Sequence, residues 1–262
     1  MDQTRQSVEE ALASRHGMTV CGVLGTTSIQ NAIYAGHFAD AEAYVELLRR
    51  HSMDHRLERW ERFALGYAGL LAVKRGERER GLQMLSSSFS RFDDPSNTRY
   101  MLIYCEHALA VGGTGDPMAG LIAIDTIRER LEETGIRWYL PEIHRCRARL
   151  LHMAGMPTVD IEAAFLQAHS LAVELGAVTW QLRLAMDLSV FLSEQMRVPE
   201  AMERLEAAYA LFSEGHGAPV LRAARRRLGD LAATAGAANR LTGAFPTPGA
   251  FRTSLNDRYG DL

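Results

Sequence analysis

Three arginines, Arg145, Arg149 and Arg183, carry the chemistry most readily read from this chain. A guanidinium presents a planar fork of donors that fits a carboxylate through two parallel bonds, which an ammonium cannot do. Arg145 and Arg149 are four residues apart, a spacing that puts both on one helix face. Tyr34, Phe63 and Tyr100 are candidates for the apolar anchors that accompany such a clamp. The chemistry implied is recognition of carboxylates on another molecule.

Covalent and metal chemistry find less support. His144, Cys146 and His152 have metal-ligand side chains, but Cys146 leaves the helix on a different face from the two histidines. Cys105, Glu106 and His107 are consecutive and diverge around a helix. The glycines at 112, 113, 115 and 120 lack the preceding strand and the following Lys-Ser/Thr of a phosphate loop, and read as a helix–helix turn. No nucleophile elbow, zincin motif or kinase signature occurs. The expectation is a chain without catalytic residues, cofactor or metal.

The net charge of -3 removes the general reason to expect nucleic acid as a partner. Arg222, Arg225, Arg226 and Arg227 form the densest basic stretch and read as the solvated face of a terminal helix. Lys74 is the single lysine among the 29 basic residues, a bias that codon usage in a GC-rich genome produces. No apolar run approaches the roughly 20 residues of a membrane span, and residues 1–10 do not form a signal peptide. Cys21, Cys105 and Cys146 form no CxxC pair and are expected to be reduced, buried thiols in a cytoplasmic protein.

The elements that must position these side chains recur at a fixed step. Gly36, Gly76, Gly115, Gly155 and Met196 mark five turns separated by 40, 39, 40 and 41 residues. Five residues after the marker stands a small residue, Ala41, Gly81, Gly120 or Ala201, which lets paired helices approach closely. The fourth turn breaks the pattern, with Asp160 there and the small residue later, at Ala163. Pro117, Pro157 and Pro199 fall where second helices begin, positions at which a missing N–H matters little. Apolar residues recur with helical period, as in Leu57, Trp60, Phe63, Ala64, Tyr67 and Leu71. Helices are predicted near 3–15, 19–35, 38–52, 55–75, 77–92, 97–112, 117–134, 139–154, 158–175, 178–196, 199–213 and 218–235. Strand patterns are missing. The fold class is therefore all-α, a right-handed α-solenoid of tetratricopeptide (TPR)-like hairpins spanning residues 1–235. Residues 236–262, with Phe245, Phe251 and Tyr259 among glycines and prolines, read as a flexible or loosely docked tail.

Longer stretches carry a resemblance. Trp138-Tyr139-Leu140-Pro141-Glu142-Ile143-His144-Arg145 with Arg149-Leu150-Leu151 and Ala154-Gly155 is one. Ala163, Phe165 and Ala168, then 172–176, Gln181-Leu182-Arg183 and Ser189, is another. Ala207, Tyr209, Phe212, Glu214 and Gly215, followed by Leu221, Arg222, Ala224 and Arg225, is a third. Together they resemble the C-terminal TPR-like region of large bacterial signalling ATPases that carry winged-helix or adenylate cyclase-type domains, over roughly residues 20–228. The phosphate loop, the basic recognition helix and the cyclase segment of those proteins are missing here. The resemblance thus implies only the helical sensor or interaction module, without NTPase activity or DNA binding.

Aligned on the TPR pattern, Gln30, Tyr34, Phe63, Tyr100, His107, Glu142, Arg145, Arg149, His152 and Arg183 fall on or near the concave face, with about half of the aromatics expected in the core between repeats. The sequence therefore points to a non-catalytic adaptor or sensor that holds a protein or peptide segment. The alternative is a sensor binding a small-molecule or peptide inducer inside the array. Homo-oligomerisation is compatible with both, and the apolar residues around Val20, Val23 and Leu24 are a candidate surface for it.

Overall fold

The computed structural model describes residues 2–89 and 100–242, with side chains through residue 236. Every regular element among them is helical. In chain order these are α1 (Asp2–Ala13), α2 (Gly17–Val23), a π-helical turn (Leu24–Ser28), α3 (Ile29–Ala35), α4 (Phe38–Asp54), α5 (Glu58–Lys74), α6 (Arg78–Phe89), α7 (Met101–Gly113), α8 (Pro117–Thr134), α9 (Leu140–Met153), α10 (Thr158–Glu174), α11 (Val178–Glu194), α12 (Val198–Tyr209) and α13 (Pro219–Thr242). The expected boundaries are met within a few residues, with two differences. The helix expected over 19–35 is interrupted by the π-helical turn, and the last helix runs on past Gly236 to Thr242. The expectations for Phe245, Phe251 and Tyr259 lie outside the described residues.

The five marker residues all adopt left-handed backbone: φ is 78° at Gly36, 90° at Gly76, 111° at Gly115, 64° at Gly155 and 60° at Met196. This conformation reverses the chain after a helix, and it is strained for any residue but glycine, so Met196 is the outlier. A second set of left-handed turns, at Arg15, Arg56, Gly135, Gly176 and Gly215, ends the alternate helices. It was not read from the sequence because two of its members are arginines. Asp116 caps α8 by accepting from the Ala119 N–H at 2.9 Å, and Pro117 occupies the first turn.

Each helix packs on the next, and alternate helices touch as well: α5 on α7, α7 on α9, α9 on α11, and α11 on α13. A central helix such as α7 is consequently covered on most sides, with Met101, Leu102, Ile103, Cys105, Ala108, Leu109 and Ala110 buried. Two apolar clusters result, one from α1 to α7 and one from α7 to α13, and Tyr104 packs against both. In the first, Trp60, Phe63 and Tyr67 stack in file, with Tyr100 lying 3.8 Å from the Phe63 ring centroid. The π-helical turn frees the Gly25 carbonyl from the helical ladder. The Tyr67 hydroxyl donates to it at 2.8 Å and itself accepts from Gln30 Nε2 at 2.9 Å.

The small residues are buried in all four conforming repeats. Ala41 and Ala201 are fully buried, and a Cβ on Gly120 would lie 2.6 Å from the Ala108 carbonyl oxygen. Gly81 would likewise meet the Gly69 carbonyl oxygen at 2.7 Å. In the fourth repeat the expectation is corrected. Ala163 faces outward, and Ile161 and Ala164 make the contact with α9 side of the core instead.

Gly120→Ala should therefore destabilise the protein despite the better helix propensity of alanine. Overpacking costs about 1–3 kcal/mol against a propensity gain of about 1 kcal/mol. Gly113→Ala, where the added methyl meets nothing within 4 Å, should leave stability unchanged or raise it. Urea denaturation of the two variants measures the contrast.

Candidate functional site

The side chains that converge do so on the α9–α11 wall, and the centre is Glu142, 1% exposed. Arg145, one turn further along α9, donates to it from Nε at 2.7 Å and from Nη2 at 2.6 Å. Arg183, in the first half of α11, donates from Nη2 at 2.8 Å. The third Arg145 nitrogen reaches Asp187, one turn beyond Arg183. Arg149 lies 3.7 Å from the same Asp187 carboxylate. From α5, Lys74 Nζ donates to Glu106 of α7 at 2.7 Å.

Burial alone would push Glu142 up, but the Arg145 and Arg183 guanidiniums outweigh it and hold the carboxyl well below the usual carboxylate range. Glu106 is lowered for the same reason, burial being outweighed by Lys74 and, at longer range, by Arg183 and Arg149. The cluster thus sets four cations, Lys74, Arg145, Arg149 and Arg183, against three carboxylates, Glu106, Glu142 and Asp187.

An aromatic group closes one end of this wall. The Tyr34 hydroxyl, at the end of α3, lies 2.6 Å from the Tyr139 hydroxyl just before α9. The Tyr34 ring meets Trp180 edge-on at 5.1 Å, and Arg183 stacks over it at 5.1 Å. Gly36, which ends α3, abuts Pro219 at the start of α13, so that a Cβ there would lie 3.0 Å from it. Helices α3 and α13 are therefore in contact. Burial raises the Tyr34 and Tyr139 hydroxyls well above the usual tyrosine range, so both stay neutral.

The ten expected groove residues divide sharply. Phe63, Tyr100, Glu142 and Arg145 are buried; part of the aromatics was expected in the core, whereas for Glu142 and Arg145 burial corrects the expectation of a place on the open face. The first two stack in the core, and the last two neutralise each other. Gln30 is tied to Tyr67, and His107 lies against Ser86 and the Phe89 ring. Arg149, His152, Arg183 and Tyr34 keep partial exposure and line the wall; His152 bonds Glu194 at 2.8 Å. Lys74, Glu106, Tyr139, Trp180 and Asp187 belong to the same wall and were not read from the sequence. Trp180, Arg183 and Asp187 do share one helix face by spacing, a signal that was available.

Cys21, Cys105 and Cys146 are free and buried. Burial pushes the Cys21 thiol up to about 11, and burial together with the neighbouring Cys146 raises Cys105 well above the usual thiol range. Such thiols are poor nucleophiles. His144 is 2% exposed, and its Nδ1 has no hydrogen-bond partner among the described residues. Burial, with Arg128 and Arg147 nearby, brings its pKa down to about 4 despite the opposing Asp125 and Glu132. Among the described residues, no helix is long and apolar enough to cross a membrane.

Compared with known proteins, the chain matches no family model, and it matches none of the curated sequences.

Two outcomes separate the buried lock from the exposed strip. Glu142→Ala leaves Arg183 without its carboxylate and Arg145 with Asp187 alone, and should cost about 3–5 kcal/mol, whereas Arg149→Ala, on a loose and partly exposed pair, should cost less than about 1 kcal/mol by urea titration. The His144 ring sets a pH dependence. Between its ordinary value of 6.5 and about 4, the unfolded chain takes up a proton that the folded chain refuses. Stability should accordingly be intact above pH 6.5 and fall on acidification through that window, by on the order of 2 kcal/mol. His107 and His169, also lowered by burial, add to the trend, and His144→Gln should flatten it.

Proposed function

We propose that this chain is a non-catalytic interaction module, a right-handed α-solenoid of TPR-like hairpins that captures an acidic segment of a partner protein along the wall formed by α5, α7, α9 and α11. The observation that carries this reading is the row of cations on that wall: Lys74, Arg149 and Arg183 are partly exposed, while their counter-ions Glu106 and Glu142 are buried and Asp187 is partly exposed. A partner carboxylate can pair with Arg149 without disturbing the Glu142 pairings beneath. Arg149 is the natural first contact, because its own pairing at 3.7 Å is the longest in the cluster. Trp180 and Tyr34 supply an apolar edge beside it. By its resemblance to the helical region of bacterial signalling ATPases, the module serves as the adaptor or sensor part of a signalling or transcription-regulatory system.

A second reading, a sensor for a small-molecule or peptide inducer, draws on the contact between α3 and α13 and on Tyr34 reaching Tyr139 and Trp180. These contacts shorten the accessible wall and suit a compact ligand better than a long extended one.

Affinity capture from the cells that carry the protein tests the first reading. Arg149→Glu should abolish retention of the partner while the melting temperature stays within about 3 °C of the parent, since a partly exposed pair contributes little to stability. Retention should also weaken steeply with salt. Unchanged retention by the Arg149→Glu protein rejects the wall as the binding surface. If retention is unaffected but a metabolite screen yields a stabilising ligand whose effect Arg149→Glu removes, the second reading replaces the first.

A further inference from the structure

From Arg128 in α8 to Arg204 in α12, every arginine has a carboxylate within 4 Å. The four arginines at 222–227, in the first half of α13, have none among the described residues. Arg15, Arg56, Arg59 and Arg78 also lack one, but they are spread over the starts of α2, α5 and α6. Arg227 turns inward and donates to Ser189 and Ser193 of α11 at 3.2 and 2.8 Å. Arg222, Arg225 and Arg226 are exposed, and Arg222 also donates to the Gly217 carbonyl. This placement works against the helix. Like charges three and four residues apart repel, and cations near the start of a helix oppose the positive end of its dipole. The first turn of α13 holds no acid, and Asp230, one turn beyond Arg226, does not pair with it.

The same face continues in small residues. Arg222, Arg226, Gly229, Ala233 and Gly236 follow one another at 4, 3, 4 and 3 residues, the spacing of a seam between helices. A Cβ on Gly229 or Gly236 would meet nothing within 4 Å, although glycine inside a helix is unfavourable. At Gly81 and Gly120, glycine inside a helix accompanies a second helix whose backbone carbonyl lies opposite. Helices α3, α5, α7, α9 and α11 are each followed by a helix that packs along them. Among the described residues α13 has no such companion; Leu221, Ala224 and Leu231 bury its inner side and the seam stays uncovered.

Charge selects the kind of occupant. Three exposed guanidiniums without internal counter-ions call for an anion from outside the described chain. Their track is short, about 8 Å along the helix axis, and Gly229, Asp230 and Ala232 follow it. A nucleic-acid backbone needs a longer run of cations, and here an acid lies in its path. A helix with carboxylates three and four residues apart matches the pitch of the arginines and approaches closely where the glycines stand.

We propose that the outer face of α13 docks an acidic helix of a partner protein, with its carboxylates on Arg222, Arg225 and Arg226 and its backbone close to Gly229. None of these residues belongs to the α5–α11 wall, and the contact is independent of the partner read there.

The probe is a phage-displayed library of helix-forming peptides, randomised at every exposed position and selected against the full chain. Enriched peptides are then measured singly by fluorescence anisotropy. Peptides with acids three and four residues apart should dominate. Arg222→Glu together with Arg226→Glu should weaken them at least about tenfold, and Gly229→Leu, which fills the seam, should do the same. Arg149→Glu should leave their affinity within about twofold. Circular dichroism establishes that each variant folds. A selection without acidic helices overturns the proposal. So does binding that depends on Arg149 instead of Arg226, or binding that Gly229→Leu leaves intact, which is attraction without helix packing. Three further results overturn it by naming another occupant. A single-stranded DNA oligonucleotide that binds more tightly than the peptides, through the same arginines, gives the face to nucleic acid. Self-association in sedimentation velocity that the paired arginine substitutions abolish gives it to a second copy. Peptide binding about tenfold tighter in the Asp257→Lys, Asp261→Lys chain gives it to residues 243–262 of the same molecule.

Discussion

One buried carboxylate constrains the second half of the molecule. Glu142 sits in the core with two guanidiniums on it, Arg145 from its own helix and Arg183 from α11. A bare carboxylate in that place would be protonated or expelled; doubly paired, it is held ionised. The pairing also fixes positions. Arg183 is pulled across from α11 to α9, and from there it stacks over Tyr34 of α3. The third nitrogen of Arg145 orients Asp187, which in turn pairs with Arg149. The exposed chemistry of the wall is thus arranged by groups that never reach solvent.

The backbone solves a different problem with one repeated device. Every helix must end abruptly so that the next can run back against it, and a left-handed residue does this in one step. The device appears in two interleaved series: the first steps by 39 to 41 residues, and the second by 41, 79, 41 and 39, the long interval spanning the residues that are not described. Close approach within a pair depends on glycine or alanine opposite a backbone carbonyl, as at Gly81 and Gly120. Stacking several such pairs brings alternate helices into contact, and α13 also meets α3, where Gly36 abuts Pro219.

Much of this was legible beforehand, for identifiable reasons. Helix positions follow from apolar period, and the five turns from glycines whose conformational freedom has few other uses. The buried cysteines follow from their place within apolar stripes. The second series of turns was hidden because Arg15 and Arg56 adopt a glycine-like backbone against their preference. The π-helical turn was hidden because Tyr67, which bonds its Gly25 carbonyl, comes from α5, and the Thr26 and Ser28 hydroxyls that bond the Gly22 and Val23 carbonyls have no distinctive sequence pattern. The assignment of Arg145 to an outer wall failed for a related reason. Helical spacing places Arg145 and Arg149 on one face, but it does not say that a carboxylate from the preceding turn will claim the first and spare the second.

The sequence by itself determined the all-helical class, the spacing of the hairpins and the candidate set from which a site is drawn, because these depend on residues close together in the chain. Only the tertiary structure decided which cations are spent on internal carboxylates and which remain to face a partner. It alone joined Lys74 of α5 to Glu106 of α7, and the end of α3 to α9, α11 and α13. The physical reason is that an ion pair's role is set by burial and by the second partner's position. Both are fixed by packing between helices that lie tens of residues apart in the chain.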